Sequence, residues 1–75
     1  MSLKRALLIV DHGSRQPEAN QTIDEIARMT RQIRPGLIVE YAHMEMAEPN
    51  MAEGVARCVA AGAHEVIVHP YLLAD

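Results

Sequence analysis

Residues 7–20 read LLIVDHGSRQPEAN: four apolar residues run directly into an acid, an imidazole, a glycine, a serine and a cation, and a proline follows. A short apolar run entered by Lys4 and Arg5 and left through Asp11-His12-Gly13 has the pattern of a strand buried on both faces. The first strand is therefore placed over residues 4–10. A polar, chemically loaded loop stands at its carboxyl end.

Working outward, Ala19, Ile23, Ile26, Ala27, Thr30 and Ile33 recur at three- and four-residue spacing, while Asp24, Glu25, Arg28, Arg31 and Gln32 take the opposite face. That periodicity predicts an amphipathic helix over residues 18–34. Glu18 in its first turn and Arg31 and Arg34 in its last suit the helix dipole, and Pro35-Gly36 ends it. Residues 37–44 (LIVEYAHM) are rich in β-branched and aromatic residues and make a second strand. A second helix opens either with Pro49 at its first position or with Asn50 and Glu53 as a capping box. Met51, Val55, Cys58 and Val59 are its expected buried stripe, with Gly62 as the carboxyl cap. Residues 65–69 form a third strand stopped by Pro70.

The order β-α-β-α-β with short connections requires parallel strands joined by right-handed crossovers. The fold class is α/β, a doubly wound parallel sheet in a single domain over residues 1–75. Three strands and two helices leave an open sheet edge, so the expectation is a portion of a longer domain or a sheet completed by another subunit. Met1-Ser2-Leu3 is set aside as leader-like.

The core must be aliphatic, because the chain has two Tyr, no Phe and no Trp. One cysteine, Cys58, rules out an internal disulfide and fits a reducing compartment; it is expected as a small buried helix residue. A net charge of -3 with both signs interspersed argues against nucleic acid and against a polybasic membrane surface. The apolar runs fall well short of the roughly 20 residues that span a bilayer, so a cytoplasmic protein is expected.

In open parallel sheets ligands bind beyond the carboxyl ends of the strands. The first strand ends in Asp11, His12, Gly13, Ser14 and Arg15, the second in His43, Met44, Glu45 and Met46, and the third in His69, Pro70 and Tyr71. His12, followed by a glycine, faces a cleft with room beside it. Glu45 is a carboxylate with no cation next to it in sequence, which calls for metal, water or hydrogen-bond donors. His43 is either a neighbour that supports Glu45 or a core residue with one hydrogen bond. Ser14 suits a turn, and no nucleophile elbow surrounds it. Arg15 can hold a carboxylate or phosphate through its planar fork, or form a surface ion pair. Asp11 is expected to orient the loop through the amides that follow it. His64 falls on the opposite rim, Met44 and Met46 serve as apolar wall, and the loop lacks the glycines and lysine of a nucleotide site.

Three stretches, LLIVDHGSRQPEAN, YAHMEMAEPNMAEGV and GAHEVIVHPYLLAD, resemble in order and spacing the sirohydrochlorin cobaltochelatase family of small class II tetrapyrrole chelatases. The resemblance implies a chelatase-like fold and ATP-independent insertion of a divalent metal, cobalt first and nickel or iron in other members, into a sirohydrochlorin-like tetrapyrrole. In the family a histidine of the HGSR loop and a glutamate after the second strand surround the metal. These correspond to His12 and Glu45. A further histidine follows the Pro-Tyr-x-Leu stretch and would lie past Asp75. The donor chemistry agrees, since cobalt, nickel and ferrous iron accept imidazole and carboxylate, and a site that gives its metal away should be sparse and free of thiolate. On this reading His12 and Glu45 are the metal-binding and catalytic residues, and Arg15, Ser14 and His43 lie toward the substrate. A homodimer is the expected assembly. The alternative is a non-catalytic metal- or tetrapyrrole-binding module of the same fold.

Overall fold

A computed structural model describes residues 3–71; Met1, Ser2 and residues 72–75 lie outside the described residues. Strand β1 (Arg5–Asp11) is followed by helix α1 (Pro17–Ile33), strand β2 (Ile38–His43), helix α2 (Met51–Ala60) and strand β3 (Glu65–Pro70). The sheet is parallel in the order β2-β1-β3, so the apolar run of the opening stretch is its central strand.

Alternation along β1 divides the core in two. Ala6, Leu8 and Val10 pack with Ala42 and Cys58 under α2, while Ile9 packs with Ile23, Ala27 and Val39 under α1. Both faces of one strand are thus covered by helices, the reason its sequence shows no polar alternation.

The helix starts follow different rules. Pro17 opens α1 behind Gln16, whose side chain makes no capping bond. At α2 the Asn50 side chain accepts from the Glu53 amide (2.9 Å) and the Glu53 carboxylate accepts from the Asn50 amide (3.0 Å). The capping box, not Pro49, therefore sets the start of α2. Gly62 follows the last turn with φ +104°, the left-handed position that suits glycine.

Facing is where the structure departs from the periodicity. In α2 the sheet-facing residues are Gly54 and Cys58, whereas Val55 and Val59 of the expected stripe are exposed. The helix lies so close to the sheet that a Cβ on Gly54 would sit 2.8 Å from the Ala42 Cβ and 2.9 Å from a Leu8 methyl. A small residue, not a branched one, decides which side turns inward. In α1, Ile23 and Ala27 are buried as expected, but Ala19 is exposed and Ile33, the last helical residue, is 76% exposed.

Burial, and secondarily the charge of Glu40, push the Cys58 thiol above its ordinary pKa. On the amino rim the His64 Nδ1 accepts from the Lys4 amide (3.1 Å) and the His64 amide donates to the Lys4 carbonyl (2.8 Å), so this histidine secures the entry of β1. Strand β3 is an edge strand, and Ile67 and Val68 on its opposite faces are both about half exposed. No helix among the described residues is long and apolar enough to cross a membrane.

Gly54→Ala tests the close approach. Alanine is the better helix former by about 1 kcal/mol, yet overpacking costs about 1–3 kcal/mol. The expected outcome is a net loss of about 1 kcal/mol in urea unfolding; a gain in stability would contradict the packing described.

Candidate active site

The carboxyl rim is built from two loops that run on together after their strands end. Asp11 pairs with His43 at the last rung of the β1–β2 ladder. Beyond it the Met44 amide donates to the Asp11 carbonyl (2.9 Å) and the Glu45 amide to the His12 carbonyl (3.0 Å). His12 and Glu45, the two expected donors, are thereby held on adjoining backbone segments, and both are exposed.

Gly13 makes this juxtaposition sterically feasible. Its φ is +88°, and a Cβ there would fall 1.8 Å from the Glu45 carbonyl oxygen. The reverse turn of the Glu45 loop includes Met46 at φ 68°, an uncommon conformation for a side-chain-bearing residue. Met44 and Met46 are both exposed.

Ser14 is fixed on both sides. Its amide donates to the Asn20 Oδ1 (2.9 Å), the Asn20 amide group donates to its carbonyl (2.7 Å), and its hydroxyl accepts from the Gln16 amide (3.1 Å). The turn expected at Ser14 is present. Its anchor, Asn20, went unread in the sequence, because an amide side chain six residues along a helix carries no local signal. Arg15 is exposed and has no ion pair among the described residues.

His43 is 1% exposed, and its Nδ1 lies 2.6 Å from the Asp11 Oδ1. A carboxylate can only accept, so Nδ1 carries the donated proton. Of the two readings of His43, a core residue with one hydrogen bond describes its surroundings. Its ring also meets Tyr41 edge to face, with centroids 6.0 Å apart. Contrary to expectation, Asp11 does not bind the amides that follow it: β1 extends one residue further and its carboxylate turns toward β2.

Beside these loops lies a cleft of about 150 Å³ lined by Asp11, His12, Gly13, Ser14, Asn20 and Tyr71 among others. Ligand pockets usually run to roughly 300–1,000 Å³, so this cleft admits an edge of a large flat ligand and does not enclose one. His69 is exposed on β3 and is not among the lining residues. Among the described residues no three histidine, cysteine, aspartate or glutamate side chains gather as a metal site.

A doubly wound parallel sheet that brings an exposed imidazole, His12, and an exposed carboxylate, Glu45, to adjoining loops at its carboxyl rim, with the thiol buried elsewhere, defines a small α/β domain with hard and borderline donors on offer. The CbiX family model matches residues 6–75, and the chain belongs to that family. It is 43% identical over 67 residues to the chloroplastic sirohydrochlorin ferrochelatase of Arabidopsis thaliana, covering 89% of this chain and 30% of the relative. It is 38% identical over 69 residues to the sirohydrochlorin cobaltochelatase of Priestia megaterium, covering 92% of this chain and 22% of the relative. Among solved structures it is similar to the sirohydrochlorin chelatase SirB of Bacillus subtilis subspecies spizizenii in complex with cobalt. That match has a TM-score of 0.82 and 32% identity, over 97% of this chain and 31% of the other. The chain thus spans less than a third of the length of these three proteins.

Gly13→Ala should cost at least about 2 kcal/mol, since it combines a left-handed φ with a backbone clash. Gly36→Ala, with open space around it, should stay within about 0.5 kcal/mol. Equal urea midpoints for the two variants would count against the described loop approach.

Proposed function

We propose that this chain carries the metal-handling rim of a sirohydrochlorin chelatase, a lyase that inserts a divalent metal into a sirohydrochlorin-like tetrapyrrole without ATP. The observation that supports this reading most directly is the pairing of the His12 and Glu45 loops at the carboxyl rim of the sheet. The relatives' names point to cobalt or iron as the metal; cobalt is the first choice, with iron or nickel as further substrates. A metallated macrocycle would serve cobalamin or siroheme synthesis.

The chemistry is an exchange. Insertion of a dication releases two pyrrole protons, so the site must hold a cation briefly and then accept protons. His12 and Glu45 provide one nitrogen and one oxygen donor, a sparse set suited to release. Once the cation has passed to the pyrrole nitrogens, the free His12 imidazole can take one proton, and the Glu45 carboxylate relays the other to solvent. Arg15, exposed at the start of α1, is available for a carboxylate on the rim of the macrocycle, and Ser14 shapes the loop between them.

The test is to mix the protein with cobalt and sirohydrochlorin and follow the absorption of the macrocycle. His12→Ala should lower the metallation rate at least 100-fold and Glu45→Gln at least about 10-fold. Binding of the macrocycle with no acceleration over the protein-free reaction would favour the alternative, a non-catalytic binding module.

Association of two copies, in a cytoplasmic setting, completes the reading. It is supported by the outer edge of β3, which pairs with no strand among the described residues, and by the exposed Ile67 and Val68. Sedimentation should show a dimer, and Ile67→Lys should shift it toward monomer; a monomer at every concentration would overturn this part.

A further inference from the structure

The Asp11–His43 pair has no part in the exchange just described, yet it joins the stems of both donor loops through side chains. Its carboxylate belongs to the residue before His12, and its imidazole to the residue two before Glu45. His43 is anchored in a second way, through its own amide, which donates to the Pro49 carbonyl (2.8 Å) and closes the neck of the loop that carries Glu45. An isolated bridge between His43 and Asn50 lies at the same neck. One residue thus closes the Glu45 loop with its backbone and grips the stem of the His12 loop with its side chain.

Stability alone does not account for such a pair. Burying the His43 imidazole and partly burying the Asp11 carboxylate, whose side chain is 19% exposed, costs desolvation, and apolar residues of similar size are often as stable or more so. A use that fits such a pair is to specify register, since a short directional bond tolerates little displacement. Here the bond spans the last rung of the ladder, immediately before the two rim bonds from Met44 to Asp11 and from Glu45 to His12.

We propose that the Asp11–His43 hydrogen bond is a positioning device that sets the separation of His12 and Glu45. Both partners act through the loops they hold, and Asp11 also lines the cleft. The role toward metal rests on the function proposed above, whereas the fixing of the loops does not.

Amide exchange followed by NMR reads the loops directly. In the unaltered chain the Met44 and Glu45 amides should exchange as slowly as the β1–β2 ladder amides, and free loop exchange there would overturn the proposal before any variant is made. Asp11→Ala should accelerate those two amides at least tenfold relative to the ladder and weaken cobalt(II) binding about 10- to 100-fold, the usual scale for a group that orients a metal ligand. Asp11→Asn, which keeps an acceptor oxygen, should stay within about threefold of the unaltered chain on both measures. Ile23→Val, a change in the core under α1, supplies the comparison for lost stability alone. If Asp11→Ala behaves like Ile23→Val in exchange and in cobalt affinity, the pair is merely structural. If the unaltered chain takes no cobalt, the proposed function fails, and the exchange comparison alone decides whether the pair fixes the loops.

Discussion

The Glu45 carbonyl oxygen lies where the first side-chain carbon of any residue but glycine would stand at position 13. The adjoining course of the two rim loops depends on that contact between two backbones. It allows the β1–β2 pairing to continue past the strands, so that exposed loops inherit the spacing of a buried sheet. It also turns the chain into α1 within a few residues, where Asn20 clamps Ser14 and prevents the loop from spreading. Loops bearing chemistry are ordinarily the softest parts of a fold. These two are braced by hydrogen bonds from the sheet on one side and from the helix on the other.

Much of this was legible in the residues. The apolar run between cations and DHGSR marked the central strand, because only a strand covered on both faces can dispense with polar alternation. The start of α2 was narrowed to Pro49 or to the Asn50–Glu53 capping box, and the structure takes the capping box, a local interaction between side chains and amides three residues apart. His12 and Glu45 could be placed on the same rim from topology alone. Other features depend on relations between elements that are distant in sequence. The inward turn of Gly54 instead of Val55 reflects how closely α2 approaches Ala42 and Leu8, a distance no helical periodicity encodes. The bond from Asp11 to His43 spans 32 positions and arises from strand register. Without that register an aspartate before a loop reads as a cap, and a histidine in a strand has no identifiable partner.

The proposed donor set, His12 and Glu45, suits a site that must part with its cargo. On the proposed reading, an imidazole and a carboxylate on separate loops would hold a borderline dication without enclosing it, and the cleft beside them, about 150 Å³, is too small to surround a tetrapyrrole. Such a rim handles one edge of its ligand at a time. Enclosure of a flat substrate must come from surfaces other than those of the described residues.

Cys58 lies beneath α2, fully buried, with its thiol held in the protonated form by its surroundings. A thiol so placed neither traps a soft metal nor couples with a second chain, and its folded environment has no reducible bond to lose. The fold of the described residues is therefore indifferent to the redox poise around it.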